Sequence, residues 1–231
     1  MMKISNLQKS FGRFSLNIPG LTLEDGRMYG LIGPNGSGKS TAIMLLAGLL
    51  SPDAGAIDYQ GLTARDITLV PQKPYLMRDT VMANLLYPLK IRKIKPNQAT
   101  LDMYLELAGL QDLKNAYAPG LSSGEAQKLA LVRAMVFSPK FIFVDETFSN
   151  MDMESQARFE KYILAQQRQA DDANRPTWVV ISHQLSTIKR LCAHTFFMES
   201  GEIKEAGDTL ELLAYPKTPQ LKQYVEFMDA R

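Results

Sequence analysis

The sequence predicts a mixed α/β fold carrying an inserted helical block, and three observations support this. A strand-like run, Met28 to Ile32, ends in a glycine-rich loop, and Lys39 to Leu50 follow as a helix of small and apolar residues. Phe141 to Val144 and Thr177 to Ile181 are continuous apolar runs, the pattern of strands buried on both faces of a parallel sheet. Between about Thr80 and Gly109 the character changes to helical patterns.

The elements follow in order. Lys3 to Leu7, Phe14 to Ile18 and Met28 to Ile32 have strand-like content, punctuated by Gly12, Pro19-Gly20 and Asp25-Gly26. An antiparallel β part is expected near the N-terminus. Ser51-Pro52-Asp53-Ala54-Gly55 breaks the chain, and short strands then lead to Ile67 to Val70. Thr80 and Asn97 are expected N-caps of two helices, and Gly109 is an expected stop. Ser122 opens a helix to Phe137 that Ser138-Pro139 ends. Glu154 to Gln169 reads as a helix and Asp171 to Pro176 as a loop. Phe196 to Met198 and Glu202 to Lys204 flank Ser200-Gly201 as a hairpin, and Asp208 caps a terminal helix. One domain is expected, with residues 1–72 and 136–231 as its α/β core and residues 73–135 as a helical subdomain.

Composition narrows the function. The chain has 231 residues, enough for one α/β domain with a full core, and 45% hydrophobic with 22% charged residues excludes a disordered chain. A formal net charge of +2 gives no field that gathers nucleic acid, so none is expected as a partner. Arg92, Lys93 and Lys95 read as a solvated helix end. The single cysteine, Cys192, rules out an internal disulfide and reads as a packing residue. Ile43 to Leu50, the most apolar stretch, is far shorter than the ~20 residues of a spanning helix. The N-terminus lacks a signal-peptide pattern. A soluble intracellular chain is expected, held at a membrane only through a partner.

Gly33-Pro34-Asn35-Gly36-Ser37-Gly38-Lys39-Ser40 matches G-x-x-x-x-G-K-[ST] in full. Its glycines let backbone N–H groups converge on phosphate oxygens, and the following helix adds its positive end. Lys39 is expected to reach the β and γ phosphates and Ser40 to ligate Mg²⁺. Phe141 to Val144 delivers Asp145 and Glu146 to a strand's end. An acid there holds Mg²⁺, and a second one polarises an attacking water. Leu121-Ser122-Ser123-Gly124-Glu125 reads first as an S-x-x-E capping box. The same capped helix start offers N–H groups to a phosphate, and both hold if that phosphate belongs to a second subunit.

In this order the loop, the serine–glycine segment and the Asp-Glu strand resemble the ATP-binding-cassette (ABC) ATPases over nearly the whole chain. The resemblance implies a P-loop NTPase fold of the ABC type that binds ATP and Mg²⁺ and hydrolyses ATP. It implies that Gly33 to Ser40 and Thr41 contact the nucleotide, and that Ser40, Gln72 and Asp145 hold the metal. Lys39, Gln72, Glu146 and His183 are the implied catalytic residues, with His183 the switch histidine at a strand's end. His194, by contrast, reads as a plain strand-end residue. Phe11 resembles the aromatic that stacks on adenine, with Phe14 as its rival. Ser122, Ser123, Gly124 and Glu125 resemble the signature, usually L-S-G-G-Q, and Asp152 resembles the acid of the loop that crosses the dimer.

Three departures stand out. Ser123 replaces a glycine, Glu125 replaces a glutamine, and Thr147 stands where a proline usually follows the glutamate. They read as tuning of rate or interface, and a slow enzyme stays open. The partners implied are a second copy around ATP, an integral membrane permease at the cytoplasmic face, and a separate solute-binding protein. Asn115 to Gly120 lacks the acidic segment of exporter cassettes, which favours an importer. Val81 to Arg92 resembles the cassettes of tungstate- and molybdate-type oxyanion importers. The chain ends too early for the C-terminal regulatory domain of some importers. Two rival readings remain, a soluble cassette ATPase that remodels a protein or nucleic-acid complex, and a nucleotide sensor without turnover.

Overall fold

A computed structural model describes residues 1–169 and 175–229. The strands are β1 (Met2–Phe11), β2 (Phe14–Leu23), β3 (Met28–Ile32), β4 (Ala54–Asp58), β5 (Ile67–Val70), β6 (Phe141–Asp145), β7 (Thr177–Ile181), β8 (His194–Glu199) and β9 (Glu202–Asp208). The helices are α1 (Lys39–Leu46), α2 (Val81–Arg92), α3 (Gln98–Ala108), α4 (Ser123–Met135), α5 (Met153–Gln169), α6 (Leu185–Leu191), α7 (Thr209–Ala214) and α8 (Pro219–Asp229).

A three-stranded antiparallel sheet has the order β2-β1-β4, and a six-stranded sheet has the order β5-β6-β7-β3-β8-β9. In the larger sheet β5, β6, β7, β3 and β8 run parallel, and β9 closes the edge antiparallel to β8. The register pairs Val70 with Val144, Asp145 with Ile181 and Leu31 with Ile181. The carboxyl ends of β3, β5, β6 and β7 therefore gather along one edge, where ligands bind in open α/β sheets.

β6 shows why its sequence is unbroken and apolar. Phe141 and Phe143 enter the core shared with β1, β2 and α1, and Ile142 and Val144 enter the core shared with the helices. Val179 and Ile181 of β7 face the first core, Trp178 and Val180 the second. Fully burying one such side chain stabilises by roughly 1.5–3 kcal/mol, so these strands hold the sheet in place.

The N-cap expectations agree with the structure. Thr80 accepts the Ala83 N–H and Asn97 accepts the Thr100 N–H. Gly109 ends α3 in the left-handed conformation, φ 65°.

Other boundaries moved. β1 and β2 are ten residues each, longer than expected, and Pro19-Gly20 lies inside β2. β2 is the edge of its sheet, where a missing N–H breaks no ladder bond. α1 ends at Leu46 rather than Leu50: Gly48, at φ 71°, donates to Leu45 O at 3.0 Å, and Leu49 N turns back to Met44 O at 2.9 Å. Two helices stand where one terminal helix was expected, because Glu205 accepts the Lys217 and Thr218 N–H groups at 2.9 Å between them. The loop expected at Asp171 to Pro176 falls outside the described residues, apart from Arg175 and Pro176, which have no regular structure.

Arg92 is not a solvated helix end. Its guanidinium lies 3.6 Å from the Phe137 ring centroid, and Nε donates to Arg65 O at 3.1 Å. Lys93 and Lys95 are exposed as expected.

Asn84, 0% exposed, ties the segment after Gln72 to the helical block. Its Oδ1 accepts Met77 N at 2.8 Å and Arg133 Nη1 at 3.1 Å, while Nδ2 donates to Met77 O and Thr80 O. Asn84→Leu strands several buried polar groups at once. It should lower stability by about 3 kcal/mol in urea unfolding, more than burial of a leucine returns.

Candidate functional site

The glycine loop bends as only glycine allows. Gly33 has φ 145° and a Cβ there would lie 2.0 Å from Met198 O; Gly38 has φ 102° and a Cβ there would lie 2.7 Å from Phe14 Cζ. Gly38 is the N-cap of α1 and offers no side-chain bond, and no acid occupies the first turn. The first N–H groups of α1 are thus left for an anion.

Lys39 is 6% exposed, and its Nζ donates to Gly33 O at 2.8 Å and Pro34 O at 2.9 Å. Desolvation pushes its pKa down, against the pull of Glu146 and Asp145. Ser37 Oγ is buried without a partner. A curled loop with an orphaned hydroxyl, an uncapped helix and a buried ammonium fits a polyphosphate.

Asp145 ends β6 and is 8% exposed. Burial pushes its pKa up, and a hydrogen bond with the Ser40 side chain opposes this. Glu146 takes the left-handed conformation, φ 51°, and its N–H donates to Ile181 O at 3.0 Å. Its Oε1 lies 2.6 Å from His183 Nε2 and its Oε2 accepts Gln72 Nε2 at 2.9 Å. Gln72, Glu146 and His183, from the ends of three strands, thus meet over the loop. They line a cleft of about 640 Å³ with Asn35, Gly36, Gly38, Lys39, Ser40 and Thr41.

Phe14 also lines this cleft, half-buried against Gly38. Phe11 lies outside its lining, 48% exposed, with Lys9 Nζ 5.5 Å from its ring centroid. His194 packs edge-on against Tyr29 and Phe196, as a strand-start residue does. Cys192 is buried, and burial pushes its thiol pKa up, as suits a packing residue.

The serine–glycine segment is also outside the cleft. The capping box is formed at α4: Ser122 Oγ accepts Glu125 N at 3.3 Å, and Glu125 Oε2 accepts Ser122 N at 2.8 Å and the Ser122 hydroxyl at 2.6 Å. These bonds hold the Glu125 pKa down. Ser122 and Ser123 face solvent. Asp152, also exposed, accepts Ser155 N at 2.8 Å at the start of α5. Arg133 carried no sequence signal. Its guanidinium donates to Asn84 and to Tyr75 O at 2.7 Å, and it holds the segment beyond Gln72.

Sheet order, glycine loop and converging polar groups define a P-loop nucleotide-binding protein. A family model described as ABC transporter matches residues 16–149. The tungstate uptake system ATP-binding protein TupC of Peptoclostridium acidaminophilum is 36% identical over 88% of this chain and 96% of that one. A sulfate/thiosulfate import ATP-binding protein CysA of Mesostigma viride is 33% identical over 94% of this chain and 64% of its own length. A methionine import ATP-binding protein MetN 2 of Enterococcus faecalis is 30% identical over 89% of this chain and 63% of its own length. The chain belongs to the ABC transporter family, within which it is an ABC-type ATPase. Two solved structures share the fold at 22% identity. One is the ATP-binding subunit of an ABC transporter, TM-score 0.85 over 99% of each chain; the other is a dimeric ATP-binding cassette bound to ADP and Pi, TM-score 0.78 over 90% of this chain and 99% of that one.

The capping box yields a pH test. A carboxylate whose folded pKa is depressed contributes stability above its unfolded pKa and loses it as pH falls through the folded value. Glu125→Ala should therefore cost about 0.5 kcal/mol at neutral pH, reduced by solvent screening. Thermal unfolding across pH should show that difference shrinking below about pH 4.

Proposed function

We propose that this chain is the ATP-binding and hydrolysing subunit of an ABC importer, with an oxyanion such as tungstate as the cargo. The observation that carries the reading is the grip of Gln72 and His183 on opposite oxygens of Glu146, beside a glycine loop with unspent donors. Import is supported by the printed functions of the relatives. TupC handles tungstate and CysA sulfate or thiosulfate, both tetrahedral oxyanions, whereas MetN 2 handles methionine.

Mg-ATP, when bound, supplies the transferable phosphoryl group and a divalent charge to offset its oxygens. The loop N–H groups and Lys39 bind the phosphates. Ser40, Gln72 and Asp145 would hold Mg²⁺, a small oxygen-ligand set that suits this ion alongside phosphate and water. Phe11, with its exposed ring, is the aromatic free to stack on adenine. Glu146 orients the attacking water and takes its proton. Gln72 and His183 each hold one of the Glu146 oxygens and so orient the carboxylate for that step.

Ser122 to Glu125 and Asp152, of which Ser122, Ser123 and Asp152 face solvent, lie outside their own chain's cleft and serve a second copy's cleft in a homodimer. A second groove, about 380 Å³, begins at Pro71 and runs past Tyr75, Tyr87 and Ile91 over Arg92 and Arg133. Tyr75 is 75%, Tyr87 46% and Ile91 51% exposed. An apolar groove one residue from Gln72 suits a permease that senses the cleft. No described helix is long and apolar enough to cross a membrane. The proposed place of the chain is the cytoplasmic face, held there by that permease. A separate binding protein selects the solute.

Two measurements test this. Glu146→Gln should reduce Mg²⁺-dependent ATP turnover at least 100-fold and accumulate an ATP-bound dimer in size-exclusion chromatography, a loss of about 3 kcal/mol of transition-state stabilisation. A wild type that binds ATP without turning it over would favour the sensor. Separately, Tyr87→Glu with Ile91→Glu should abolish co-purification of an integral membrane protein while circular dichroism remains native; continued co-purification would remove the groove from the permease interface.

A further inference from the structure

α5 and α6 meet through a closed set of buried polar side chains. Gln156 and Glu160, one turn apart on α5, are 9% and 6% exposed, and Thr187 of α6 is 0% exposed. The Gln156 amide nitrogen lies 2.8 Å from Glu160 Oε1, 2.7 Å from Thr187 Oγ1 and 3.1 Å from Gln184 Oε1. The Thr187 hydroxyl donates to the same Gln184 oxygen at 3.1 Å. Arg190 completes the set, its Nε 2.6 Å from Glu160 Oε2 and its Nη2 2.9 Å from Glu160 Oε1. A nitrogen at this point of Gln156 meets acceptors, whereas an oxygen would face the Glu160 carboxylate, so the amide can turn only one way.

An apolar pair would join the two helices without desolvating an amide and a carboxylate. What the polar set adds is a hold on the turn before α6. Gln184 is the N-cap of α6, yet its side chain caps none of that helix's N–H groups and is given instead to Gln156 and Thr187. Gln184 N donates to Ser182 Oγ at 3.0 Å, and Ser182 is 1% exposed. His183, whose Nε2 lies 2.6 Å from Glu146 Oε1, is therefore flanked by two anchored residues. On α5, Gln156 N donates to Asp152 O at 2.9 Å. One residue thus bonds both to the segment of Asp152 and to the turn of His183.

We propose that Gln156 is a positioning residue for His183, acting through Gln184, and that it ties the placement of His183 to the segment carrying Asp152. This rests on the reading of the cleft as an ATPase site. Gln156 is outside the lining of that cleft and touches no reacting atom. Glu160 and Arg190 orient its amide, and Gln184 passes the hold on to the turn.

The test compares the wild type with two variants. Gln156→Met keeps the side-chain length without the amide. Thr209→Val breaks the buried hydroxyl pair of Thr195 and Thr209, 2.7 Å apart, which takes no part in the cleft. Thermal unfolding, kcat and KM for MgATP, and the histidine ring signals by NMR are measured in each. The chain has two histidines, and His194 opens β8 at the sheet edge away from the cleft, so the His183 ring has an internal reference. Gln156→Met should lower kcat about tenfold with KM unchanged, the mark of a misplaced catalytic group. Its His183 ring signals should shift or broaden in the ligand-free chain while those of His194 stay. Thr209→Val should lose similar stability and keep wild-type kcat and His183 signals. An unchanged kcat or unaltered His183 signals in Gln156→Met, or an equal fall of kcat in Thr209→Val, would overturn the proposal and leave the ATPase site intact. A wild type that binds MgATP without turnover would overturn the ATPase reading; the ring signals, recorded without ATP, still decide whether Gln156 places His183.

Discussion

A pair of opposite charges taken out of water is the constraint on which this structure turns. Lys39 and Asp145 are 6% and 8% exposed, at the edge where the parallel strands end. Desolvation pushes the Lys39 pKa down against the pull of Glu146 and Asp145, and the Asp145 pKa up against its hydrogen bond with Ser40, so at each group burial outweighs what favours the charge. Lys39 contributes stability only above its unfolded pKa, losing it as pH falls through the folded value. Asp145 contributes only below its unfolded pKa, losing it as pH rises through the folded value. In its charged form each group opposes folding. The apolar strands on either side offset that cost, which is why β6 and β7 are buried on both faces.

The same strands set the geometry of the polar groups. Gln72, Glu146 and His183 follow β5, β6 and β7, and their approach depends on the register that sets Val70 beside Val144 and Asp145 beside Ile181. A slip of one residue would exchange the faces on which Asp145 and Glu146 lie. The hold on Gln72 extends outward. Asn84 and Arg133 fix Met77 and Tyr75, so the wall of the outer groove and the polar edge of the cleft belong to one hydrogen-bonded segment.

Much of this was legible because it is local. The glycine loop, the apolar strands and the caps at Thr80, Asn97, Ser122 and Asp208 are each written in a few adjacent residues. What was missed depends on distant partners. Pro19-Gly20 looks like a break unless β2 is known to be an edge strand. Arg92 looks solvated unless Phe137 is known to lie beneath it. Phe11 and Phe14 flank one turn, and only the approach of Gly38 separates the ring against the loop from the ring facing solvent. The strand order, which puts β3 between β7 and β8, has no local signature at all.

The start of α4 shows how one motif serves two ends. The Ser122 N–H and hydroxyl are among the donors a phosphate from a second copy would use, and in the single chain Glu125 Oε2 accepts both. A glutamine at that position accepts more weakly and carries no charge against a phosphate. With glutamate, an incoming phosphate must displace a carboxylate from its own donors and tolerate it nearby. The capping box therefore stabilises the lone subunit and weakens the proposed dimer through the same bonds. Ser123 adds a side chain on the same solvent-facing surface. In the proposed dimer both departures act on assembly of the composite site, while the chemistry at Glu146 stays within one chain.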